Sequence, residues 1–457
     1  MSTEVKSINL LLDDNTIVAL ATANAVGSIS IVRVSGKNAL TIALAITKKN
    51  EFKPRLATLS QIYTTKDELI DEALVLYFKA PFSFTGEDVV EFQCHGGVAI
   101  ANMVVNEVLN YNARLANPGE FSKRAFLNNK IDLSKAEAIS KMIEARSEDA
   151  VKLLAKQLKG ELKDFVEDIR EDLLFMLAYT EVSIDYAEED LPTDIFDQIN
   201  EKLFKIETNL KNTLEASKRR EGMIEGYKVA IVGKPNVGKS SLLNKLLNFE
   251  RAIISDIAGT TRDTIEESVK IGTHIIKIVD TAGIRSANDE IEKIGINRSL
   301  KAINEADIVI AIFDSSKKFE HEDEKIVELL SKQDKKEIIV LLNKVDLDTK
   351  LDKNRLQSNY IELSAKNDIK PLVDQIETVL DNNTHSDEMS LISKRQITSV
   401  EETLESIISA KQPLITGELE FFAHFITTAL ESISNITRPY ENDQMLDVMF
   451  GEFCLGK

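Results

Sequence analysis

The feature that most constrains the fold is a glycine-rich segment at residues 233–240, GKPNVGKS, between a short apolar run and a helical pattern. Glycines let such a loop curl so that its backbone N–H groups point at phosphate oxygens. The amino terminus of the helix that follows adds a partial positive charge. The segment therefore predicts a phosphate-binding loop in which Lys239 contacts the β- and γ-phosphates and Ser240 ligates Mg²⁺.

Two motifs expected on the γ-phosphate side of a nucleotide follow in order along the chain. Residues 259–263, GTTRD, are predicted to be switch I, with Thr261 as a second Mg²⁺ ligand. Residues 280–283, DTAG, end a predicted strand. At this position Asp280 would support the coordination shell of Mg²⁺, and the Gly283 N–H would contact the γ-phosphate.

Two later motifs predict that the base is guanine. In residues 343–346, NKVD, Asp346 can accept hydrogen bonds from guanine N1–H and the 2-amino group, which adenine does not offer in that arrangement. Residues 364–366, SAK, place a backbone N–H near guanine O6. Five motifs in this order predict GTP as the ligand. The predicted GTP-binding residues are Asn236, Val237, Gly238, Lys239, Ser240, Ser241, Ser255, Asp256, Ile257, Ala258, Gly259, Thr260, Thr261, Asp280, Thr281, Ala282, Gly283, Asn343, Lys344, Asp346, Ser364, Ala365 and Lys366.

No glutamine follows the DTAG motif to orient the attacking water. Many GTPases place one there, but this chain has Ile284. The nearest replacement is Glu292, in the segment EIEKIG. From the residues alone, a solvent-exposed helix charge is the favoured interpretation of Glu292.

Three regions of the chain differ in pattern. Residues 16–127 mix short β-rich runs with glycine-containing turns, which predicts an α+β domain. Residues 226–379 alternate apolar strands with helices, which predicts a parallel sheet covered on both faces. Residues 131–218 and 393–450 are helical in pattern, so the α/β domain is expected as an insertion into a helical domain. The predicted strands are 29–34, 73–78, 89–92, 228–232, 275–279, 308–313 and 338–342.

Apolar residues at helical spacing support the two helical regions. Seven of them, from Leu154 to Met176, predict one long amphipathic helix whose stripe packs into a core. Ile415, Leu419, Phe422 and Ile426 predict a second apolar face near the carboxyl end.

Length, charge and composition limit the number of domains and the classes of function that this chain can have. A chain of 457 residues suggests about three domains. The net charge of −19 argues against a broad surface that tracks nucleic-acid phosphates. No apolar run reaches the ~18 residues of a membrane helix, and the amino terminus lacks the basic character of a targeting peptide, so a cytoplasmic protein is expected. Two cysteines, Cys94 and Cys454, match neither a disulfide framework nor a metal site.

Motifs outside the nucleotide domain carry a resemblance to one family. They are SFTGEDVVE at 83–91, HGG at 95–97, PGEF at 118–121, RAFLNNK at 124–130 and FCLGK at 453–457. Together with the nucleotide motifs they resemble the tRNA modification GTPases MnmE, also called TrmE, from about Thr16 to Lys457. A generic GTPase would carry none of them.

The resemblance implies a multidomain α/β and α fold with a Ras-like P-loop GTPase domain inserted into a discontinuous helical domain. The expected parts are an α+β folate-binding and dimerisation domain at 1–127, helical segments at 128–218 and 381–457, and the GTPase domain at 219–380. The resemblance also implies a homodimer and no membrane association.

The resemblance further implies a potassium ion at the nucleotide site in place of an arginine finger. Its ligands would be Asn236, Ser255 and the backbone of Ile257 and Thr260. Glu292 would then orient the attacking water. The catalytic residues implied are Glu292, Lys239 and Thr261.

One-carbon chemistry on tRNA is the last implication. With an FAD-dependent partner, MnmG (GidA), in a heterotetramer or larger complex, the family modifies C5 of the wobble uridine of certain tRNAs. A 5-formyl- or methylene-tetrahydrofolate would contact Arg33, Glu91, Lys130 and Lys457. Cys454 is a candidate reactive thiol, although packing explains it equally, and His95 is expected to be structural.

From the residues alone, Arg33 and Lys130 would be surface ion-pair residues and Glu91 a satisfied sheet carboxylate. Two other functions stay open at this stage. One is a ribosome-assembly GTPase of the Era or Der type, which shares the GxPNxGKS loop. The other is a GTP-gated scaffold without chemistry of its own beyond GTP hydrolysis.

Overall fold

The computed structural model describes residues 15–145, 147–185, 193–249, 267–279, 302–333, 336–356, 359–382, 389–438, 450–451, 453 and 456. These residues divide into two compact units. The first takes its residues from Met1–Ser140, Gly160–Glu189 and Pro413–Lys457, and the second from Lys141–Lys159 and Asp190–Gln412.

The described strands fall into two groups along the chain, one before and one after the long helices of residues 161–225. The strands are β1 (Thr16–Leu20), β2 (Ile29–Ser35), β3 (Thr58–Tyr63), β4 (Leu69–Phe78), β5 (Val89–His95), β6 (Ala113–Leu115), β7 (Tyr227–Val232), β8 (Glu267–Ile271), β9 (His274–Val279), β10 (Ile308–Asp314), β11 (Glu337–Asn343) and β12 (Tyr360–Glu362). The helices are α1 (Ala39–Thr47), α2 (Val98–Leu109), α3 (Glu120–Leu127), α4 (Leu133–Glu144), α5 (Glu148–Lys159), α6 (Glu161–Asp185), α7 (Thr193–Glu225), α8 (Lys239–Phe249), α9 (His321–Ser331), α10 (Lys370–Asn382), α11 (Lys394–Thr416) and α12 (Leu419–Ser434).

The first unit is built on a sheet in the order β3-β4-β5-β2-β1-β6. Among the described strand pairs of this sheet, β1–β6 is parallel and the others are antiparallel. Side chains alternate between the two faces of each strand. One face, with Val32, Val75 and Phe92, packs against α1 and α2 to form a core. This confirms the α+β expectation for residues 16–127.

The other face of this sheet carries polar and exposed apolar side chains. Arg33 and Glu91 lie on it, directly opposite each other on β2 and β5. Ile29, Leu59 and Leu74 are exposed. Where the sheet reaches β1, this face is covered by Phe121 of α3. A charged pair therefore lies beside this packed region, on a face that the described residues otherwise leave open.

The second unit is built on a sheet in the order β12-β11-β10-β7-β9-β8. The strands run parallel except for the β8–β9 hairpin. Apolar cores lie on both faces, and every residue of β10 is buried. This confirms the doubly covered sheet, and each of the four predicted strands agrees with an observed strand to within one residue at either end. The carboxyl ends of β7, β10 and β11 meet at one edge, where ligands bind in such sheets.

The long helix predicted through Leu154 and Met176 is wrong as a single element. Leu154 and Met176 are fully buried, as expected. However, α5 ends at Lys159 and α6 begins at Glu161. Gly160 has φ +102°, a conformation that ends a right-handed helix. The apolar spacing continues across this glycine although the helix does not, and the two halves belong to different units.

The apolar face predicted near the carboxyl end is correct for Phe422 and Ile426, which are fully buried in α12. It is wrong for Ile415, which is 69% exposed at the end of α11. Gly417, with φ +77°, separates the two helices and breaks the helical phase. Among the described helices, none is long and apolar enough to cross a membrane.

Candidate functional site

The phosphate-binding loop connects β7 to α8, as the glycine-rich segment predicts. Gly238 has φ +108°, and a Cβ atom there would lie 2.1 Å from the Asn343 side-chain nitrogen. Glycine is therefore required at position 238 for two reasons, the backbone conformation and the close approach of the loop to β11. Asn236 also has a positive φ, 64°, which asparagine tolerates better than most residues.

Lys239 opens α8 with its side chain folded back over the loop. Its Nζ donates hydrogen bonds to the carbonyl oxygens of Gly233 and Lys234, each at 2.7 Å. Burial lowers the pKa of this ammonium from its ordinary value. Because the ammonium is desolvated and has two neutral acceptors, the approach of an anionic phosphate would stabilise its charge. The geometry fits the predicted phosphate contact.

Asn343 connects the loop to the predicted guanine site. Its Nδ2 donates to the carbonyl oxygen of Val237 at 2.7 Å, and its Oδ1 accepts from the backbone N–H of Ala365 at 2.8 Å. One buried amide thus satisfies a donor and an acceptor from two other motifs. The segments NKVD and SAK are held against the phosphate-binding loop, as a guanine nucleotide spanning them requires.

Lys344 adds a second connection to the loop. Its Nζ donates to the carbonyl oxygen of Asn236 at 2.8 Å and lies 2.6 Å from Oδ2 of Asp314. Asp314 ends β10 and is 2% exposed. This ion pair was not expected from the sequence. A polar residue at the carboxyl end of a central parallel strand was the signal that could have found it.

Lys234 is a further site residue that the sequence did not single out. Its ammonium lies 2.8 Å from Oε2 of Glu320 and 2.7 Å from Oδ2 of Asp323. Both acids belong to the capping box at the start of α9. The second residue of the loop therefore ties the loop to a neighbouring helix.

The structure brings together the described members of three motifs: the loop 233–240, NKVD and SAK. Ser240 lies in the first turn of α8, where the loop would present it to Mg²⁺. The roles of these residues remain predictions. Predicted site residues that lie outside the described part of the chain are Ser255, Asp256, Ile257, Ala258, Gly259, Thr260, Thr261, Asp280, Thr281, Ala282, Gly283, Glu292, Cys454 and Lys457.

Asp346→Asn tests the guanine site directly. Asp346 is exposed on the turn after β11, where a base can reach it. The amide would lose acceptors for guanine N1–H and the 2-amino group, so GTP affinity should fall roughly 100-fold or more. Xanthosine triphosphate, which presents an acceptor in place of the 2-amino group, should bind the variant better than GTP. Competition with a fluorescent nucleotide measures both affinities, and unchanged GTP affinity would remove Asp346 from the base site.

A second charged site lies on the open face of the first unit. Arg33 Nε donates to Oε1 of Glu91 at 2.8 Å, and both side chains are mostly buried. The guanidinium also lies 5.6 Å from the centre of the Phe121 ring. Its Nη1 is 3.5 Å from the carbonyl oxygen of Gly456. Gly456 of the terminal FCLGK motif therefore lies at the site that contains two of the predicted folate residues.

Gly456 is held closely at this site. It has φ +92°, and a Cβ atom there would lie 2.3 Å from the carbonyl oxygen of Leu20. The glycine thus lets the backbone at residue 456 come close to the end of β1. Lys457, which follows it, lies outside the described residues, but its neighbour is in place beside Arg33.

Lys130 lies against Gly86 in the loop before β5. A Cβ atom at Gly86, which has φ +81°, would lie 2.9 Å from Cε of Lys130. The loop is fixed by Glu87, whose carboxylate accepts from Ser35 Oγ at 2.7 Å and from Arg124 Nη1 at 3.0 Å. Arg124 is 2% exposed and also pairs with Glu120 at 2.9 Å. The motifs SFTGEDVVE, PGEF and RAFLNNK therefore form one ion-pair network.

Cys94 and His95 take structural positions, in agreement with the expectation for His95. Burial raises the pKa of the Cys94 thiol to about 12, with the Asp71 carboxylate as a second cause, so this cysteine stays protonated. His95 Nδ1 lies 2.7 Å from Oδ1 of Asp71, and its backbone N–H donates to the other oxygen at 2.9 Å. Asp71 thus fixes the end of β5.

Comparison with known proteins covers nearly the whole chain. A family model described as the MnmE helical domain matches residues 133–454, and one described as the GTP-binding protein TrmE N-terminus matches residues 16–130. The tRNA modification GTPase MnmE of Aliarcobacter butzleri (strain RM4018) is 74% identical over 98% of this chain and 100% of that protein. The protein of the same name from Sulfurimonas denitrificans is 59% identical over the same shares.

Among solved structures, Era of Aquifex aeolicus is 28% identical and covers 40% of this chain and 67% of its own, but its TM-score of 0.26 is too low to carry a structural argument. The relatives that match over their full length favour the MnmE family over a ribosome-assembly GTPase of the Era or Der type. The chain belongs to the family of tRNA modification GTPases MnmE.

Proposed function

We propose that this GTP hydrolase is potassium dependent and acts with an FAD-dependent MnmG (GidA) partner to modify C5 of the wobble uridine of certain tRNAs with a folate one-carbon unit. The observation that carries the proposal is the second charged site. A GTPase that served only as a nucleotide-dependent switch would not need Arg33, Glu91 and Gly456 close together on a sheet face.

The Arg33–Glu91 site suits a reduced folate. A carboxylate that is mostly buried can accept hydrogen bonds from the amino and N–H groups of a pterin. Arg33 orients Glu91 through the ion pair, and its guanidinium, which lies over the Phe121 ring, can also stack on planar groups. Lys130 and Lys457 are proposed for the anionic part of the molecule. The folate would supply the carbon atom that is transferred.

The phosphate-binding loop suits a monovalent cation beside the phosphates. Asn236 has a positive φ, and its carbonyl oxygen accepts a hydrogen bond from Lys344 Nζ. A potassium ion held there with Ser255, Ile257 and Thr260 would supply positive charge between the β- and γ-phosphates, where negative charge develops during hydrolysis. Lys239 would stabilise the same charge from the loop.

The open face of the first unit supports a homodimer formed through the amino-terminal domains. Ile29 is 60% exposed, Leu59 56% and Leu74 42%. Leu59 and Leu74 are direct neighbours across β3 and β4. Clusters of exposed apolar side chains on a sheet mark surfaces that another protein covers.

Glu91→Gln tests the folate site. The substitution removes the negative charge but leaves the size of the side chain, so affinity for 5-formyl-tetrahydrofolate should fall roughly 10- to 100-fold. GTP hydrolysis should stay unchanged. The matched control is Glu72→Gln, an exposed acid on β4 of the same sheet, which should leave folate affinity unchanged. Calorimetry measures both affinities, and full folate affinity in the Glu91 variant would remove this residue from the site.

Reconstitution tests the whole proposal. Purified protein, the FAD-dependent partner, unmodified tRNA, GTP, K⁺ and a folate labelled in its one-carbon unit should transfer label to the wobble uridine. Omitting GTP, the folate or the partner should prevent the transfer. GTP hydrolysis without any labelled tRNA would instead support the scaffold alternative.

A further inference from the structure

Contacts among three residues connect a buried strand to the phosphate-binding loop. Asp314, at the end of β10, pairs with Lys344, which follows β11. Lys344 in turn donates to the backbone carbonyl oxygen of Asn236. The strands β7 and β11 flank β10 on either side, so Asp314 lies between the two loops that bind opposite ends of the nucleotide.

Hydrogen bonds and an ion pair within the protein hold both oxygens of the Asp314 carboxylate. Its Oδ1 accepts hydrogen bonds from the backbone N–H and the hydroxyl of Ser316, at 3.0 and 2.6 Å. Only Oδ2 faces Lys344, at 2.6 Å. Burial alone would raise the pKa of this carboxyl, but Lys344 and Ser316 outweigh it and hold the pKa below its ordinary value. Both oxygens of the Asp314 carboxylate therefore have partners that favour its ionised form.

Lys344 and Asn236, which follow Asp314 in this series of contacts, have uncommon backbone conformations. Lys344 has φ 65° and Asn236 has φ 64°. Residues other than glycine adopt positive φ at a cost and keep it only when their surroundings impose it. The hydrogen bond from Lys344 to Asn236 joins these two positions directly, and Asp314 holds its donor. Release of the ammonium would free both backbones at once.

We propose that Asp314 is a positioning residue that, through Lys344, holds Asn236 in place and thereby couples guanine recognition to the potassium response. The proposal rests on the function proposed above for Asn236. Guanine bound at Asp346, two residues beyond Lys344, would order the same loop. The base would then affect the rate of hydrolysis as well as the affinity for nucleotide.

The test variant is Asp314→Asn. The amide keeps the shape of the side chain and an oxygen for Ser316, but it no longer carries the charge that holds Lys344. At saturating GTP, the potassium concentration that gives half-maximal hydrolysis should rise roughly 5- to 10-fold, as expected for the loss of one charge-assisted hydrogen bond. The matched control is Asp348→Asn, an exposed carboxylate in the same loop, which should leave the half-maximal concentration unchanged. An unchanged value for Asp314→Asn would overturn the proposal.

A double-mutant cycle separates positioning from a general structural role. Lys344→Met removes the ammonium that contacts both Asp314 and Asn236. If Asp314 acts through Lys344, then adding Asp314→Asn to Lys344→Met should change the potassium response no further. Equal effects of Asp314→Asn with and without Lys344 would contradict the proposal, because they would show that Asp314 acts by another route.

Failure of the potassium mechanism itself would have a different signature. In that case the unmodified protein hydrolyses GTP equally fast in K⁺ and Na⁺. The coupling is then judged by the affinity for a fluorescent GDP, which Asp314→Asn should lower only when Lys344 is present. A loss of affinity of the same size in both backgrounds would overturn the coupling as well.

Discussion

Replacing K⁺ by Na⁺ at equal ionic strength is expected to slow GTP hydrolysis by this protein roughly 10-fold or more, since the proposed potassium ion beside the phosphates would take the place of the arginine finger of other GTPases. Among residues 233–240, Lys239 is the predicted phosphate ligand and no arginine is present. Nucleotide affinity should change little between the two salts, because the cation acts on charge that develops during hydrolysis. Single-turnover rates in matched chloride salts measure the effect.

Asn236→Ala is the variant that ties this result to the loop. The variant should hydrolyse GTP at the sodium rate in both salts, while still binding GDP. Equal rates for the unmodified protein in both salts would refute the potassium mechanism. A variant that kept its full potassium response would leave the mechanism standing but remove Asn236 from the cation site.

Glu292→Ala is expected to lower the hydrolysis rate by about 100-fold, within the usual range for loss of a group that orients or activates the attacking water. Ile284 stands where many GTPases carry the glutamine that does this work, and its sec-butyl side chain cannot hydrogen-bond to water. Affinity for a fluorescent GDP should stay nearly intact, since GDP lacks the phosphate that the water attacks.

Glu290→Ala is the matched control for this prediction, because it removes a carboxylate two residues away in the same segment. Its hydrolysis rate should match that of the unmodified protein. If Glu292→Ala instead lost GDP affinity to a similar extent, Glu292 would have a structural role. If both variants were equally slow, the charge of the whole segment would be responsible.

The fold of the nucleotide unit could be predicted from the sequence because its strands are short, continuous apolar runs followed by polar motifs. Its predicted strands each match an observed strand. The helical regions were harder. The apolar spacing from Leu154 to Met176 continues through Gly160, so periodicity alone predicted one helix where a positive φ makes two. Ile415 fits the spacing of the next helix but lies before Gly417, which breaks the phase.

The candidate site could be predicted only where its residues are neighbours in the sequence. The loop 233–240, NKVD and SAK each form a local structure with a known chemistry. The pairs between motifs depend on the order of the strands. Lys344 meets Asp314 because β11 lies beside β10, and Arg33 meets Glu91 because β2 lies beside β5. Gly456 meets Arg33 across more than four hundred residues, a contact that no local pattern indicates.

Mass analysis of wobble uridines in tRNA from cells that lack the gene tests the central claim most directly. The account predicts that the C5 modification is missing from certain tRNAs and returns with the unmodified protein. It should not return with Lys239→Ala, which disables the loop that binds the phosphates. Normal wobble uridines together with defective ribosomal subunits would contradict the account and favour a ribosome-assembly GTPase.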